Sequence, residues 1–192
     1  MQRMFEQRIQ QQFFDSADLK YQAAEVLAKP VAEAARALLG AITSGGKVML
    51  CGSGGGTTLA LHMQSLLVGR FERDRPPLAA WALACDNTLP LTKQVQALGQ
   101  PGDVLLVIDD AAADNAAVLA ALAAAHAKDI NAVVLAGAQS VPGAPWRELM
   151  TEADVLVAVP HERPARILEL HLLVLHCLCD ALDVQLMGEQ EN

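Results

Sequence analysis

Charge is scarce in this chain. Only 19% of its 192 residues are Asp, Glu, Lys or Arg, which leaves little material to coat the surface of a monomer and points to interfaces between copies. The charge that is present is acidic, 22 Asp and Glu against 14 Lys and Arg, for a formal net charge of −8. That balance excludes direct nucleic-acid binding and anionic-membrane binding as main roles, because both need clustered cations. Long apolar runs are missing too. The most apolar stretch, Ile167 to Leu178, contains Glu169, His171 and His176, and it is too short and too polar to cross a membrane. The first residues mix charges with apolar side chains and lack the apolar core of a signal peptide. The four cysteines, Cys51, Cys85, Cys177 and Cys179, show no CxxC spacing. They read as buried, reduced thiols of a cytoplasmic protein rather than as a zinc site.

There is no internal repeat, linker or low-complexity tail, so residues 1–192 read as a single domain: a helical N-terminal arm over 1–43 and a core over 44–192. A hydrophobic content of 53% excludes disorder as the main state. A chain of this size buries roughly 70% of its unfolded surface without disulfides. In the arm, Ala, Leu, Gln and Glu dominate; Pro30 is expected to open a second helix, and Gly45-Gly46 to end it. Five short apolar runs follow, at Lys47 to Cys51, Leu78 to Leu83, Asp103 to Ile108, Ile130 to Ala136 and Asp154 to Val159. Helical stretches separate several of them, notably Thr57 to Val68 and the Ala-rich Asp114 to Ala127, and a long apolar helix runs from Pro164 to near Leu186. That alternation predicts an α/β fold, a parallel sheet covered by helices on both faces. The last helix is apolar almost all round, which predicts burial against the sheet on one side and another subunit on the other.

In such sheets ligands bind beyond the carboxyl ends of the strands. There the chain carries Ser53, Gly54, Gly55, Gly56, Thr57 and Thr58, then Asp86 and Asn87, then Asp109, Asp110 and Asp114. A glycine loop opening a helix offers free N–H groups and a favourable dipole to an anion. The same loop also serves as a plain tight turn, and it is neither a Walker A sequence nor GxGxxG. The aspartates pull the other way. Two like charges about 4 Å apart cost roughly 1 to 4 kcal/mol, so a dianionic ligand meets several such terms. Two vicinal carboxylates are a weak magnesium signal, and Asp114 suits a helix N-cap.

Several stretches together resemble the SIS (sugar isomerase) domain family, over nearly the whole chain. They are Arg70-Phe71-Glu72 with Arg75-Pro76, Gln94-Val95 with Ala97-Leu98-Gly99, Gly102 to Leu106, and above all Arg163 to Ile167 with Glu169, His171 and Leu175 to Asp180. The branch resembled is that of phosphoheptose isomerase and its non-enzymatic relative, the DnaA-initiator-associating protein DiaA, and the final stretch looks more like the latter. The resemblance implies a three-layer αβα sandwich, flavodoxin-like, with a five-stranded parallel sheet, assembled as a homotetramer.

The resemblance also implies a metal-assisted isomerase site. His62 and His176 match its two histidines. Leu66 stands where the family's glutamate would be, and Leu168 where its glutamine would be. Two histidines alone are a poor zinc site, since zinc takes three or four protein ligands, so no cofactor is expected. Aldose–ketose isomerisation needs a general base within hydrogen-bond reach, and leucine supplies none. The second phosphate loop, Ser-Thr-x-Gly-Asn-Ser in the family, reads Asp109 to Asp114 here, and the stretch between Asn87 and Lys93 is shorter by roughly two to three helical turns. These departures lead to the expectation of a non-catalytic, tetrameric scaffold binding the replication initiator DnaA. The alternatives are a phosphoheptose isomerase acting on sedoheptulose 7-phosphate, or a phosphosugar sensor without turnover. The expected partner surface is Leu186 and Met187 at the end of the last helix, where Gly188 stops it beside a polar tail.

Overall fold

The computed structural model describes residues 2–84, 89–110, 115–137 and 145–189. In chain order the elements are α1 (Gln2–Thr43), β1 (Val48–Ser53), α2 (Gly55–Val68), β2 (Ala80–Ala82), α3 (Leu91–Leu98), β3 (Val104–Asp109), α4 (Ala116–His126), β4 (Asn131–Ala136), α5 (Pro145–Leu149), β5 (Val155–Ala158) and α6 (Pro164–Met187). The five strands form one sheet in the order β2-β1-β3-β4-β5, and every neighbouring pair is parallel.

Alternate side chains of each strand point to opposite faces, and both faces are dry. Leu50, Leu106, Leu135 and Val157 pack with α1, α2 and α6. Met49, Leu105, Val107 and Val134 pack with α3, α4 and Trp146 of α5. This two-sided burial explains why the strands read as continuous apolar runs rather than as alternating ones. Truncating any one of these leucines to alanine would cost about 2 to 5 kcal/mol. The expected three-layer α/β architecture is what the chain forms.

One local expectation is corrected. Pro30 does not begin a second helix; it lies inside a single 42-residue helix. Proline removes one helical hydrogen bond and crowds the preceding turn. Leu27 on one side of it and Ala34, Ala35 and Leu38 on the other are buried in the same core, and this packing carries the helix across the missing bond. The loop after α1 turns at Gly45, whose φ of 83° favours glycine.

Two polar ties fix α6. The Arg75 guanidinium, buried with its partner, donates to Asp183 at 2.5 Å. It also donates to the carbonyls of Leu66 and Leu67, joining the end of α2 to α6. At the other end Arg166 pairs with Glu169 and reaches Gln12 of α1, while the Ser16 hydroxyl donates to Glu169 at 2.8 Å. Among the described residues no helix is long and apolar enough to cross a membrane.

Candidate functional site

The strand order reverses between β1 and β3, because the chain leaves β1 toward β2 on one side and continues from β3 to β4 and β5 on the other. A crevice forms at such a switch point, beyond the strand ends. Its floor is set by register: Ser53, last in β1, lies beside Asp109, last in β3. The Ser53 hydroxyl donates to Asp109 Oδ1 at 2.7 Å. The Trp146 indole N–H donates to Oδ2 at 3.0 Å, and the Asn115 amide reaches the same oxygen at 3.4 Å. Asp109 is thus a buried hub joining β1, β3, α5 and the start of α4.

The glycine loop rises from this floor, and its glycines have identifiable reasons. A Cβ on Gly52 would lie 2.3 Å from the backbone carbon of Gly56, and one on Gly56 would lie 2.0 Å from the Ile108 carbonyl oxygen. These two residues let α2 start flush against β1 and β3. Gly54 has a φ of 49°, a left-handed conformation that suits glycine. A Cβ there would lie 2.3 Å from Asp110 Oδ2, and one on Gly55 would lie 2.5 Å from a methyl carbon of Leu168. The Gly55 N–H donates to Asp110 Oδ2 at 2.7 Å. Of the loop hydroxyls, Ser53 is committed to Asp109, Thr57 donates to the Gly52 carbonyl at 3.0 Å, and Thr58 is exposed. At the loop where an anion site was expected, a carboxylate of the chain itself takes the Gly55 N–H.

His171, on α6, is wholly buried and holds Nε2 3.3 Å from the Ala136 carbonyl oxygen. Its Nδ1 is buried and has no hydrogen-bond partner among the described residues. Burial pushes its pKa down to about 4, against the weaker pull of the Ala136 carbonyl and the negative charges of Asp109 and Asp110. The imidazole is neutral at pH 7.

The two matched histidines come together. His62 of α2 and His176 of α6 stand edge to face with ring centroids 5.8 Å apart, and Phe71 lies 5.4 Å from His176. Both rings are half-buried. Leu66, one turn beyond His62, packs against the core. Among the described residues no group of three His, Cys, Asp or Glu could hold a metal ion. A histidine pair flanked by leucines does not fit zinc.

Asp86, Asn87 and Asp114 lie outside the described residues. Leu186 and Met187 part company: Leu186 is partly buried against the core, whereas Met187 is 50% exposed. The backbone at Gly188 is tied down by Arg73, which donates to its carbonyl at 2.9 Å. The Asp109 hub with Trp146, the Asp110 contact and His171 were not visible as a site from sequence. The signal for the first two was the aspartate pair at the end of a β-run, but only the register of β3 against β1 shows what the pair touches.

The SIS domain model matches residues 12–137. The chain belongs to the SIS domain family. A relative from Methylibium petroleiphilum, named phosphoheptose isomerase, is 54% identical to this SIS-domain chain over 98% of both sequences. Among solved structures, the phosphoheptose isomerase of Neisseria gonorrhoeae is similar with a TM-score of 0.81 and 32% identity, over 93% of this chain and 98% of that one. That of Francisella tularensis gives 0.82 and 33%, over 92% and 97%. These end-to-end similarities correct the expectation of a non-catalytic scaffold for DnaA: the relatives are named for the isomerase that stood as the alternative. Of the two residues expected as the partner surface of such a scaffold, Leu186 is partly buried against the core and Met187 is the more exposed.

Proposed function

We propose that this SIS-domain protein is a sugar-phosphate isomerase of the phosphoheptose class, interconverting the ketose sedoheptulose 7-phosphate and the corresponding aldose. The observation that carries the reading is the 54% identity to a phosphoheptose isomerase over 98% of both chains. The chemistry moves a proton between neighbouring carbons and needs an acid–base group in reach of the carbon beside the carbonyl. Among the matched positions, His62 and His176 are the side chains suited to it. One imidazole takes the proton and the neighbouring ring assists its return to the adjacent carbon. No step is assigned to a metal.

The test is turnover of sedoheptulose 7-phosphate by purified protein, followed as aldose formation by NMR. His176→Ala and His62→Ala are each expected to lower kcat by about 100-fold or more. A wild-type protein without turnover rejects the reading. A second reading, sugar-phosphate binding without turnover, is favoured by one observation: leucine occupies both positions, 66 and 168, where the resemblance implies polar groups. It requires thermal stabilisation by the same sugar phosphate, about 2.7 kcal/mol at 100 times Kd, in a protein that does not turn it over.

We also place the protein in the cytoplasm as a homotetramer. Cys177 and Cys179, which form no disulfide among the described residues, support the first. Exposed Phe5, Ile9, Phe13 and Phe14 along α1 support the second. A monomer by light scattering at micromolar concentration would reject the tetramer.

A further inference from the structure

We propose that Asp110 is an internal competitor for the phosphate of any ligand entering the glycine loop, and that it sets the specificity of this site. The N–H of Gly55, first in α2, is one of the unsatisfied donors that a helix N-terminus presents to an anion. It donates instead to Asp110 Oδ2 at 2.7 Å. Both oxygens of that carboxylate lie flush against the loop: a Cβ on Gly54 would be 2.3 Å from Oδ2 and 2.9 Å from Oδ1. Leu168 closes over Gly55 from α6, within 2.5 Å of where its Cβ would be. Asp110 is only 5% exposed.

The residue before it holds this arrangement in place. Asp109 is fixed by the Ser53 hydroxyl and the Trp146 indole, so the backbone that carries Asp110 is anchored beside the loop. A phosphate oxygen and a carboxylate oxygen cannot share the one N–H of Gly55, and the two anions repel at this distance. Phosphate therefore enters only when Asp110 leaves. Asp110 acts here as a specificity residue: it weakens phosphate at the loop while still satisfying the helix end. The inference rests on the proposed function only for the class of ligand; the competition itself is read with inorganic phosphate.

The experiment compares the full-length wild type with Asp110→Asn and Asp110→Ser. Asn keeps an oxygen beside Gly55 but removes the charge, and Ser removes both charge and reach. Inorganic phosphate is titrated into each at constant ionic strength, by calorimetry and by thermal shift. Asp110→Ser is expected to bind phosphate at least about tenfold tighter than wild type, with Asp110→Asn between them. Folded variants that bind phosphate no tighter than wild type overturn the proposal. Should the serine variant not fold, the asparagine variant decides alone: a gain supports the proposal and no gain overturns it. Turnover of sedoheptulose 7-phosphate by the wild type is measured alongside. Its absence rejects the isomerase reading whatever the phosphate titration gives, and turnover without a phosphate gain in the variants rejects only the competition.

Discussion

Both ends of the β1–β3 pair are closed by an aspartate at an end of the β3 segment, Asp103 just before the strand and Asp109 as its last residue, but with different partners. At the amino end Asp103 meets an ammonium group: Lys47 Nζ lies 2.5 Å from Oδ2. The N–H groups of Lys47 and Gln100 donate to the same carboxylate at 2.9 and 2.8 Å. At the carboxyl end Asp109 receives a hydroxyl, an indole N–H and an amide, and Asp110 receives the N–H of Gly55. The first arrangement is a staple that cancels charge. The second includes neutral donors, a hydroxyl, an indole N–H, an amide and a backbone N–H, at the end of the sheet where ligands arrive. Polar groups at one end serve the fold alone; at the other they also decide which charges are welcome.

The comparison breaks most visibly at Asp109. Asp109→Ala leaves a buried hydroxyl and a buried indole N–H without their acceptor. At roughly 1 to 3 kcal/mol for each orphaned group, the expected loss is about 4 kcal/mol in urea unfolding, with Asp109→Asn losing clearly less. An equal loss in the two variants would show that charge, not acceptor geometry, holds the hub together. Next in size is a pH effect from His171 behind the same end. Its pKa in the folded protein is about 4, below the ordinary 6.5. As pH falls through that window the unfolded chain takes up a proton that the folded chain refuses, so stability falls by roughly 3 kcal/mol between pH 6.5 and 4. His171→Gln should flatten the decline, and an unchanged acid limb would reject the assignment. The smallest effect belongs to the amino end. Lys47→Met leaves Asp103 its two backbone donors, and should cost about 1 kcal/mol or less, shrinking as salt is added.

Much of the fold was legible because apolar runs and helical stretches alternate along the chain. Each of the five β-strands falls within or beside one of those runs, and α6 begins at Pro164 as proline at a helix start suggests. Pro30 misled because its local signal is the same, yet burial of Leu27 and Leu38 around it outweighs one missing hydrogen bond. The short helices α3 and α5 lack the length that makes periodicity readable. In the site, the glycine loop and the aspartates were visible as separate pieces with opposite electrostatic meaning. What could not be read was that they touch, since Gly55 and Asp110 are brought together only by the register of two parallel strands. The pairing of His62 with His176 came from resemblance rather than periodicity, and the rings do meet.

The Trp146 contact has a consequence for biosynthesis. β1 is made early, but the acceptor for its Ser53 hydroxyl arrives only with β3, and the indole that completes the hub is added about ninety residues after Ser53, on the order of 5 to 20 s later at ribosomal speed. Until then the nascent chain holds half a sheet whose polar end is still solvated. Closure of the hub moves an indole from water into a dry pocket, while Trp81 on the edge strand stays 55% exposed. The two tryptophans thus form a natural optical pair: quenching by a soluble agent reports the edge strand, and the shielded emission that appears last reports that translation has passed α5 and the ligand end has closed.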